Sequence, residues 1–402
     1  MPKAIWILVI GMTINVTGAS FLWPLNTIYM SQELGRSLTV AGSIIMINAA
    51  AGVAGNLLGG RLFDKIGGYK TIMAGVTITT VSAFTLAVFH QSFIAYVLML
   101  TTIGFGGGMM VPCMYALAGA IWPEGGRKPF NAMYVAQNVG VAAGAAIGGL
   151  LASLRFDFVF FGNGVMYFSF FLLALTFFKH LEEEGRKVSA SSTFQQTERV
   201  ESSKRFQALL LLCAGFLVCW IAYTQWASTI SVHTQNLGIP LSAYSLLWTI
   251  NGGMIIFCQP LIKFFIRRWV HSLKAQIYVG LSIFMVSYLI LASAEVLTAF
   301  VVAMIILTLG EMFVWPAIPT IAHTLAPKGK AGFYQGIVNS VGTGGRMIGP
   351  LFGGLMADLF GMAVLFYVLV AMFSIAFIMT RIFDKGVPHL DFTKKRQERS
   401  AS

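Results

Sequence analysis

HLEEEGRKVSASSTFQQTERVESSKR, His180–Arg205, is the longest polar stretch in a chain of 402 residues otherwise made of apolar runs. It is charged, rich in serine and poor in apolar side chains, a composition that suits a solvated connector. Residues 179–205 therefore read as a linker, with 1–178 before it and 206–382 after it, and 383–402 as a polar tail. Of the whole chain 57% is apolar and only 10% charged, and the mean hydropathy is +0.77. Soluble domains carry roughly 25% charged residues, so the chain reads as an all-α polytopic membrane protein.

A spanning helix needs ~20 mostly apolar residues. Six such runs precede the linker: Ile5–Tyr29, Val40–Leu62, Thr71–Phe89, Ser92–Gly119, Phe130–Leu154 and Phe158–Phe178. Six follow it: Phe206–Ile230, Leu241–Phe265, Ala275–Ala292, Val296–Thr324, Gly332–Ala357 and Met362–Ile382. The reading is thus twelve transmembrane helices in two six-helix bundles. The first run is too long for a signal peptide and is expected to be retained. Of the 27 Lys and Arg, 24 fall on the termini and on the loops after spans two, four, six, eight and ten. Only Arg36 and Arg155 lie in loops on the other side, and Arg346 falls inside a span. The positive-inside rule then puts both termini in the cytoplasm of a cell-membrane protein.

The net charge of +12 is accounted for by these loops beside anionic lipid, without nucleic acid. The four cysteines all sit in apolar runs and read as small buried residues rather than metal ligands or disulfide partners. No CxxC, HExxH, GxSxG or GxxxxGK[ST] pattern occurs, so neither an enzyme nor an ATP-driven pump is indicated, and no cofactor is expected.

The halves repeat faintly. GAAIGGLLASL (Gly144–Leu154) in span five matches GPLFGGLMADL (Gly349–Leu359) in span eleven, and Asn48 and Asn251 correspond at a separation of 203. Such duplication marks secondary transporters with a midplane site between repeats. Two further motifs sharpen the reading. GRLFDKIGGYK, Gly60–Lys70, follows span two, and GRMIGPLFGG, Gly345–Gly354, lies in span eleven. On these the chain resembles the major facilitator superfamily, whose G-x-x-x-D-[RK]-x-G signature is matched by Gly60, Asp64, Lys65 and Gly67, with Lys70 left of its later basic pair. The second is like the G-x-x-x-G-P-x-x-G-G pattern of the family's 12-helix drug:proton antiporters, although there it lies in span five. Here span five has Ala145 in the place of the proline, and the fuller copy is in span eleven. The resemblance covers all twelve spans and implies the family's fold. It departs in span four, where LMLTTIGFGGG (Leu98–Gly108) lacks the arginine of many proton antiporters, and in PLIKFFIRRW (Pro260–Trp269), the counterpart of the first motif, which has no aspartate.

Asp64 is expected to accept hydrogen bonds from the first amides of span eleven, a contact that a helix N-terminus favours, and so to close the cytoplasmic side. Gly144, Gly148 and Gly149, and Gly349, Pro350, Gly353 and Gly354, read as close helix packing at the bundle interface.

TLGEMFVWP, Thr308–Pro316, places a carboxylate deep in span ten. Glu311 lies ~22 Å along its helix and Arg346 ~21 Å along the next, by 1.5 Å per residue. Either charge is costly alone in hydrocarbon, and each offsets the cost of the other. They are expected to face each other or to share a hydrated cavity. A structural ion pair is one reading; the other is a carboxyl that loads a proton when the pair separates and loses it when the pair reforms. Glu311 and Arg346 are accordingly the candidate proton-coupling residues. By the family resemblance spans one, four, seven and ten line the cavity. They and their neighbours offer Asn15, Trp23, Asn26, Tyr115, Tyr134, Gln137, Asn138, Trp220, Tyr223, Trp226, Asn251, Trp315 and Asn339. Any one of the aromatics is as readily helix packing. Together with carboxamides, which hydrogen-bond in several poses, they suit a small amphipathic substrate. The sequence thus indicates a proton-coupled exporter of lipophilic, often cationic, drugs. The alternative is a flippase for an anionic amphiphile such as a lysophospholipid, with a non-transporting receptor further behind. The expected partners are small amphipathic molecules, protons and membrane lipid, with the chain a monomer.

Overall fold

A computed structural model describes residues 1–22, 25–191, 199–387, 390 and 392. Every regular element among them is a helix, as hydrocarbon requires when it offers the backbone no partner. In chain order these are α1 (Lys3–Leu22), α2 (Asn26–Gln32), α3 (Leu38–Ile66), α4 (Gly68–Phe89), α5 (Phe93–Ile121), α6 (Lys128–Leu154), α7 (Phe156–Leu173) and α8 (Lys179–Ser191). Then come α9 (Arg199–Thr224), α10 (Thr229–Asn236), α11 (Leu241–Phe257), α12 (Gln259–Arg268), α13 (Leu273–Leu291), α14 (Leu297–Leu325), α15 (Ala331–Phe360) and α16 (Met362–Ile382).

Among the described residues, ten helical stretches are long and apolar enough to cross a membrane, or eleven if α11 and α12 are one bent span. The chain is therefore a multi-pass membrane protein, but the expected count of twelve is not reached on length and apolarity. The missing one is span eleven. Its helix, α15, is 30 residues long, yet glycines, Asn339, Ser340, Thr343 and Arg346 dilute its apolar character. Span eight also differs from expectation, because the helix breaks at Cys258 and α12 leaves at 56°. Part of the expected linker is helical: α7 passes through a π-helical turn, Ala174–Phe178, into α8. Residues 192–198 of that linker, most of the tail, and Trp23 lie outside the described residues.

Local sequence explains the joints. Ser37 caps α3 by accepting from the Val40 amide, and Ser272 caps α13 through the Ala275 amide. Between α3 and α4 the chain turns on Gly67, at φ +97°, where a side chain would be strained.

The chain divides into two compact units, Met1–Gln196 with Ala326–Gly344, and Thr197–Leu325 with Gly345–Ser402. In the first, α1 packs on α6 and α7, and α5 on α3 and α4. Its core holds Ile5, Leu8, Met12, Met110, Phe130, Met133, Phe160 and Phe170. Small residues let these helices approach. A Cβ on Gly144 would sit 2.4 Å from the Thr17 carbonyl oxygen, and one on Gly148 would sit 3.0 Å from the Phe21 Cα. Gly149 faces open space instead. At one end of this unit His90 joins the Tyr29 hydroxyl to Asp157, with Nε2 2.9 Å from the carboxylate. In the second unit α13 packs on α14 and α9 on α16. Gly280 and Gly310 let α13 and α14 approach, since a Cβ on either would be 2.8–2.9 Å from the other's carbonyl oxygen. Gly349 and Gly353 of α15 lie against Thr224 and Gln225, and Gln225 donates to the Gly349 carbonyl at 2.8 Å. Gly354 has open space.

The contrast between neighbouring glycines on α6 is testable. Gly144→Val should lower stability by about 1–3 kcal/mol through overpacking, whereas Gly149→Val should stay within about 0.5 kcal/mol. Thermal unfolding of the detergent-solubilised protein reads both.

Candidate functional site

Within the second unit, Glu311 on α14 is 2% exposed. Its Oε2 accepts from the Asn251 amide of α11 at 3.0 Å, and the same amide group donates to Thr308 Oγ1 at 2.9 Å, one turn earlier on α14. Thr308 in turn donates to the Met304 carbonyl at 2.7 Å. Tyr223 of α9 stands in hydrogen-bonding contact with Glu311. The carboxylate is thus held by donors from two other helices. That is what a buried acid needs, since an unmet acceptor in the interior costs about 1–3 kcal/mol, and more for a charged one.

One turn beyond Glu311, Trp315 lies at the centre of an aromatic cluster. Its ring centroid is 5.1 Å from Trp220, 5.5 Å from Tyr223, 5.6 Å from Phe216 and 5.6 Å from Phe284. Trp248 extends the cluster through Tyr223 at 6.2 Å. Trp220, Tyr223 and Trp248 are partly exposed, while Trp315 is buried. The result is a wall of ring faces with a carboxylate behind it.

Arg346 of α15 is exposed, and its guanidinium lies over the Trp220 ring at 4.8 Å, a cation–π geometry. It also interacts electrostatically with Tyr223. Trp220, over which Arg346 lies, also packs edge-on against Tyr223, with centroids 5.7 Å apart.

The remaining candidates fall into two sets. Asn251, Trp220, Tyr223 and Trp315 are brought together around Glu311. The others, all but Trp226 in the first unit, are mostly engaged locally. Tyr115 donates to Gln137 Oε1 at 3.1 Å, and the Asn138 amide donates to the Tyr134 carbonyl at 2.9 Å. The Asn339 amide donates to the Gln335 carbonyl one turn back. Asn26 is buried and accepts from the Tyr96 hydroxyl at 2.7 Å; Asn15 and Trp226 are also buried. Phe216 and Trp248 belong to the aromatic wall but were not singled out in the sequence, where nothing but their aromatic type marked them.

A second polar locus lies in the first unit. The Asp64 carboxylate accepts from the Gly332 amide at 2.9 Å and the Phe333 amide at 2.8 Å, both in the first turn of α15. The approach depends on glycine on both helices, because a Cβ on Gly60 would be 2.4 Å from the Gly332 carbonyl oxygen and one on Gly332 would be 2.5 Å from that of Gly60. Arg61 lies over the Phe333 ring, while Lys65 and Lys70 are exposed. Glu182 of α8 adds a contact that composition concealed, accepting from the Tyr69 amide at the start of α4 at 2.8 Å.

The sequence profile of the Major Facilitator Superfamily matches residues 8–349 and 274–401. The chain is 52% identical over 396 residues to an uncharacterized MFS-type transporter, YttB, of Bacillus subtilis strain 168, covering 98% of this chain and 99% of that one. It is 24% identical over 364 residues to the quinolone resistance protein NorA of Staphylococcus aureus strain MSSA476, covering 89% and 91%. Among solved structures, a bacterial homologue of the iron transporter ferroportin superposes with a TM-score of 0.76 at 12% identity, over 96% of this chain and all (100%) of that one. The human organic anion transporter MFSD10 superposes with 0.68 at 15% identity, over 94% and 100%. These last two bear on the fold alone.

Two outcomes follow from the geometry. Asn251→Ala and Glu311→Ala together should destabilise by about 1–3 kcal/mol less than the sum of the single changes, since each deprives the other of its partner; thermal unfolding of the four proteins measures this coupling. Asp64→Ala should cost about 1–3 kcal/mol by leaving two amides of α15 without their acceptor, and hydrogen exchange should then speed up at Gly332 and Phe333 rather than at α14.

Proposed function

The chain belongs to the Major Facilitator Superfamily, and we propose that it is a proton-coupled secondary transporter that exports lipophilic, often cationic, compounds by alternating access. The carrying observation is the buried carboxylate of Glu311, held by Asn251 and Tyr223 next to a wall of partly exposed rings. Ring faces attract positive charge, the carboxylate supplies the counter-charge, and the rings themselves give an apolar cation its contact area. Protonation of Glu311 removes the counter-charge and leaves the rings, so proton uptake lowers the affinity for a bound cation. Loss of the proton restores it. Asn251 and Tyr223 orient the carboxylate in its charged form, and Arg346, resting on Trp220 and bearing on Tyr223, modulates the exchange. The likeness to a quinolone resistance protein supports the drug side of this reading.

We place both termini on the cytoplasmic side of the cell membrane, the side of the basic loops. There the clasp of Asp64 on the first turn of α15 would hold one conformation closed, with Gly67 as the turn that presents it. Transport of this kind makes and breaks no covalent bond, and we assign no catalytic residue and no cofactor. The protein works as a monomer in this reading.

The exposure of Arg346 favours one other reading, a carrier for an anionic amphiphile whose head group pairs with the guanidinium. The test separates the two. Wild type and Glu311→Gln are reconstituted in proteoliposomes with an imposed pH gradient and a fluorescent lipophilic cation, with folding checked by gel filtration. Wild type should accumulate the dye against its gradient, and Glu311→Gln should fall to the level of empty vesicles. Equal transport by both proteins would remove Glu311 from coupling. Failure of wild type on the cation, with Arg346-dependent movement of a fluorescent lysophospholipid, would establish the second reading instead.

A further inference from the structure

Arg346 sits where a cationic substrate would be expected to sit. Its guanidinium lies 4.8 Å over the Trp220 ring, and it is the face of an aromatic ring, not its edge, that attracts positive charge. Trp220 is one of the three partly exposed rings of the wall, and Arg346 is exposed beside it. The other neighbours of Trp220 are rings of the wall itself. Phe216 and Tyr223 meet it nearly edge-on, at 74° and 80°, and Trp315 lies tilted by 37° with its centroid 5.1 Å away. A cation that came to Trp220 would therefore find a charge of the chain already on the ring.

The backbone builds this seat. Gly345 and Gly349, one turn apart on α15, face Trp220 and Thr224, one turn apart on α9. A Cβ on Gly345 would be 2.4 Å from the Trp220 Cβ, and one on Gly349 would be 3.0 Å from the Thr224 Cβ. The two helices thus meet along a seam with no room for side chains at those two positions of α15, and Arg346 follows directly on the first of them. No Lys or Arg occurs in α11 or α14, or in α9 after Arg205, and Arg346 is the only one between Lys330 and Arg381. A charge inside a span is costly, and a ring recovers part of that cost; packing alone gives no reason for an arginine there.

We propose that Arg346 is the resident cation of the aromatic wall: it occupies the Trp220 face in the absence of substrate, and a lipophilic cation binds by displacing it. The proposal rests on the export reading and adds to it the ring that receives the charge and the group that must leave. A tethered guanidinium competes at a high effective concentration, so it sets a threshold that an incoming cation has to exceed. A guanidinium is delocalised and weakly hydrated, whereas an ammonium is compact and strongly hydrated. Small hydrated amines therefore fail against Arg346. A delocalised or quaternary cation wrapped in apolar groups succeeds, because it also gains contact with the partly exposed rings of Tyr223 and Trp248. Arg346 is in this way a specificity-determining residue that selects by competition.

Binding of tetraphenylphosphonium to the detergent-solubilised full chain, followed by calorimetry, tests it. Arg346→Gln should bind the cation about tenfold more tightly than wild type, within the roughly 2- to 30-fold that a cation–π contact is worth in affinity. Trp220→Leu in the Arg346→Gln background should abolish that gain. An Arg346→Gln variant that binds as wild type does, or more weakly, would overturn the proposal and leave the export reading standing. Absence of binding by both proteins would take both down. The second measurement keeps Arg346 in place. With 5-fluorotryptophan at the eight Trp positions, and the Trp220 signal assigned by its loss in Trp220→Phe, saturating tetraphenylphosphonium should shift that fluorine resonance in wild type. Calorimetric binding with an unmoved Trp220 resonance puts the cation elsewhere and ends the idea.

Discussion

Hydrocarbon supplies no hydrogen bonds, and almost every polar choice in this chain follows from that constraint. The hydroxyls inside the helices mostly bond the carbonyl one turn back: Thr17 to Thr13, Thr79 to Gly75, Thr320 to Pro316 and Thr380 to Ala376, all at 2.6–2.8 Å. Such groups are satisfied by their own helix and specify nothing about neighbours. The informative polar groups are those that reach across. Asn163 donates to the Gly18 carbonyl, Ser287 to Ala303, Tyr288 to Ala222 and Gln225 to Gly349, and each staples two helices through a carbonyl already engaged in its own helix. Asn251 is of another kind, because its acceptor is a carboxylate. A neutral staple would have been enough for packing, so an acid at that place has to be explained by something besides packing.

How much of this could be read from the sequence differs by element. The apolar runs marked the helices because a span must be uniformly apolar, and the depth of Glu311 followed from counting residues along one of them. The partnership of Asp64 with the first turn of α15 was expected from the resemblance of Gly60–Lys70 to the family signature, and the free amides of a helix N-terminus give the physical reason for it. The break at Cys258 was not. Residues on both sides of it are apolar, and Pro260 alone hinted that the helix could not run on; which way it turned depended on packing. Glu182 was hidden by composition. It sits in the run EEEGRK, which reads as solvated, yet Leu181 and Gly185 on the same short helix are buried and bring it to the Tyr69 amide. Phe216 and Trp248 were likewise indistinguishable from lipid-facing rings until their centroids were known.

The relation of Glu311 to Arg346 illustrates a limit of counting charges. Equal depth on consecutive helices suggested a simple pair. The structure adds a ring, Trp220, over which the Arg346 guanidinium lies, and Trp220 packs on Tyr223. A tyrosine can donate to a carboxylate and, when that acid is protonated, accept from it, so its hydroxyl tolerates both states. Beside the buried carboxylate the chain thus places a hydroxyl able to serve either protonation state.

The two loops that the pseudo-repeat relates show how one sequence pattern can serve two ends. After α3, an acid is aimed at helix amides and the bases around it remain exposed; the contact is directional, short and dependent on glycine. After α11, the acid is gone, a proline and an aromatic cluster have entered, and the bases lie along one flank of an exposed helix. Without a carboxylate of its own, the second loop has no counterpart to the directional contact that Asp64 makes with the first turn of α15.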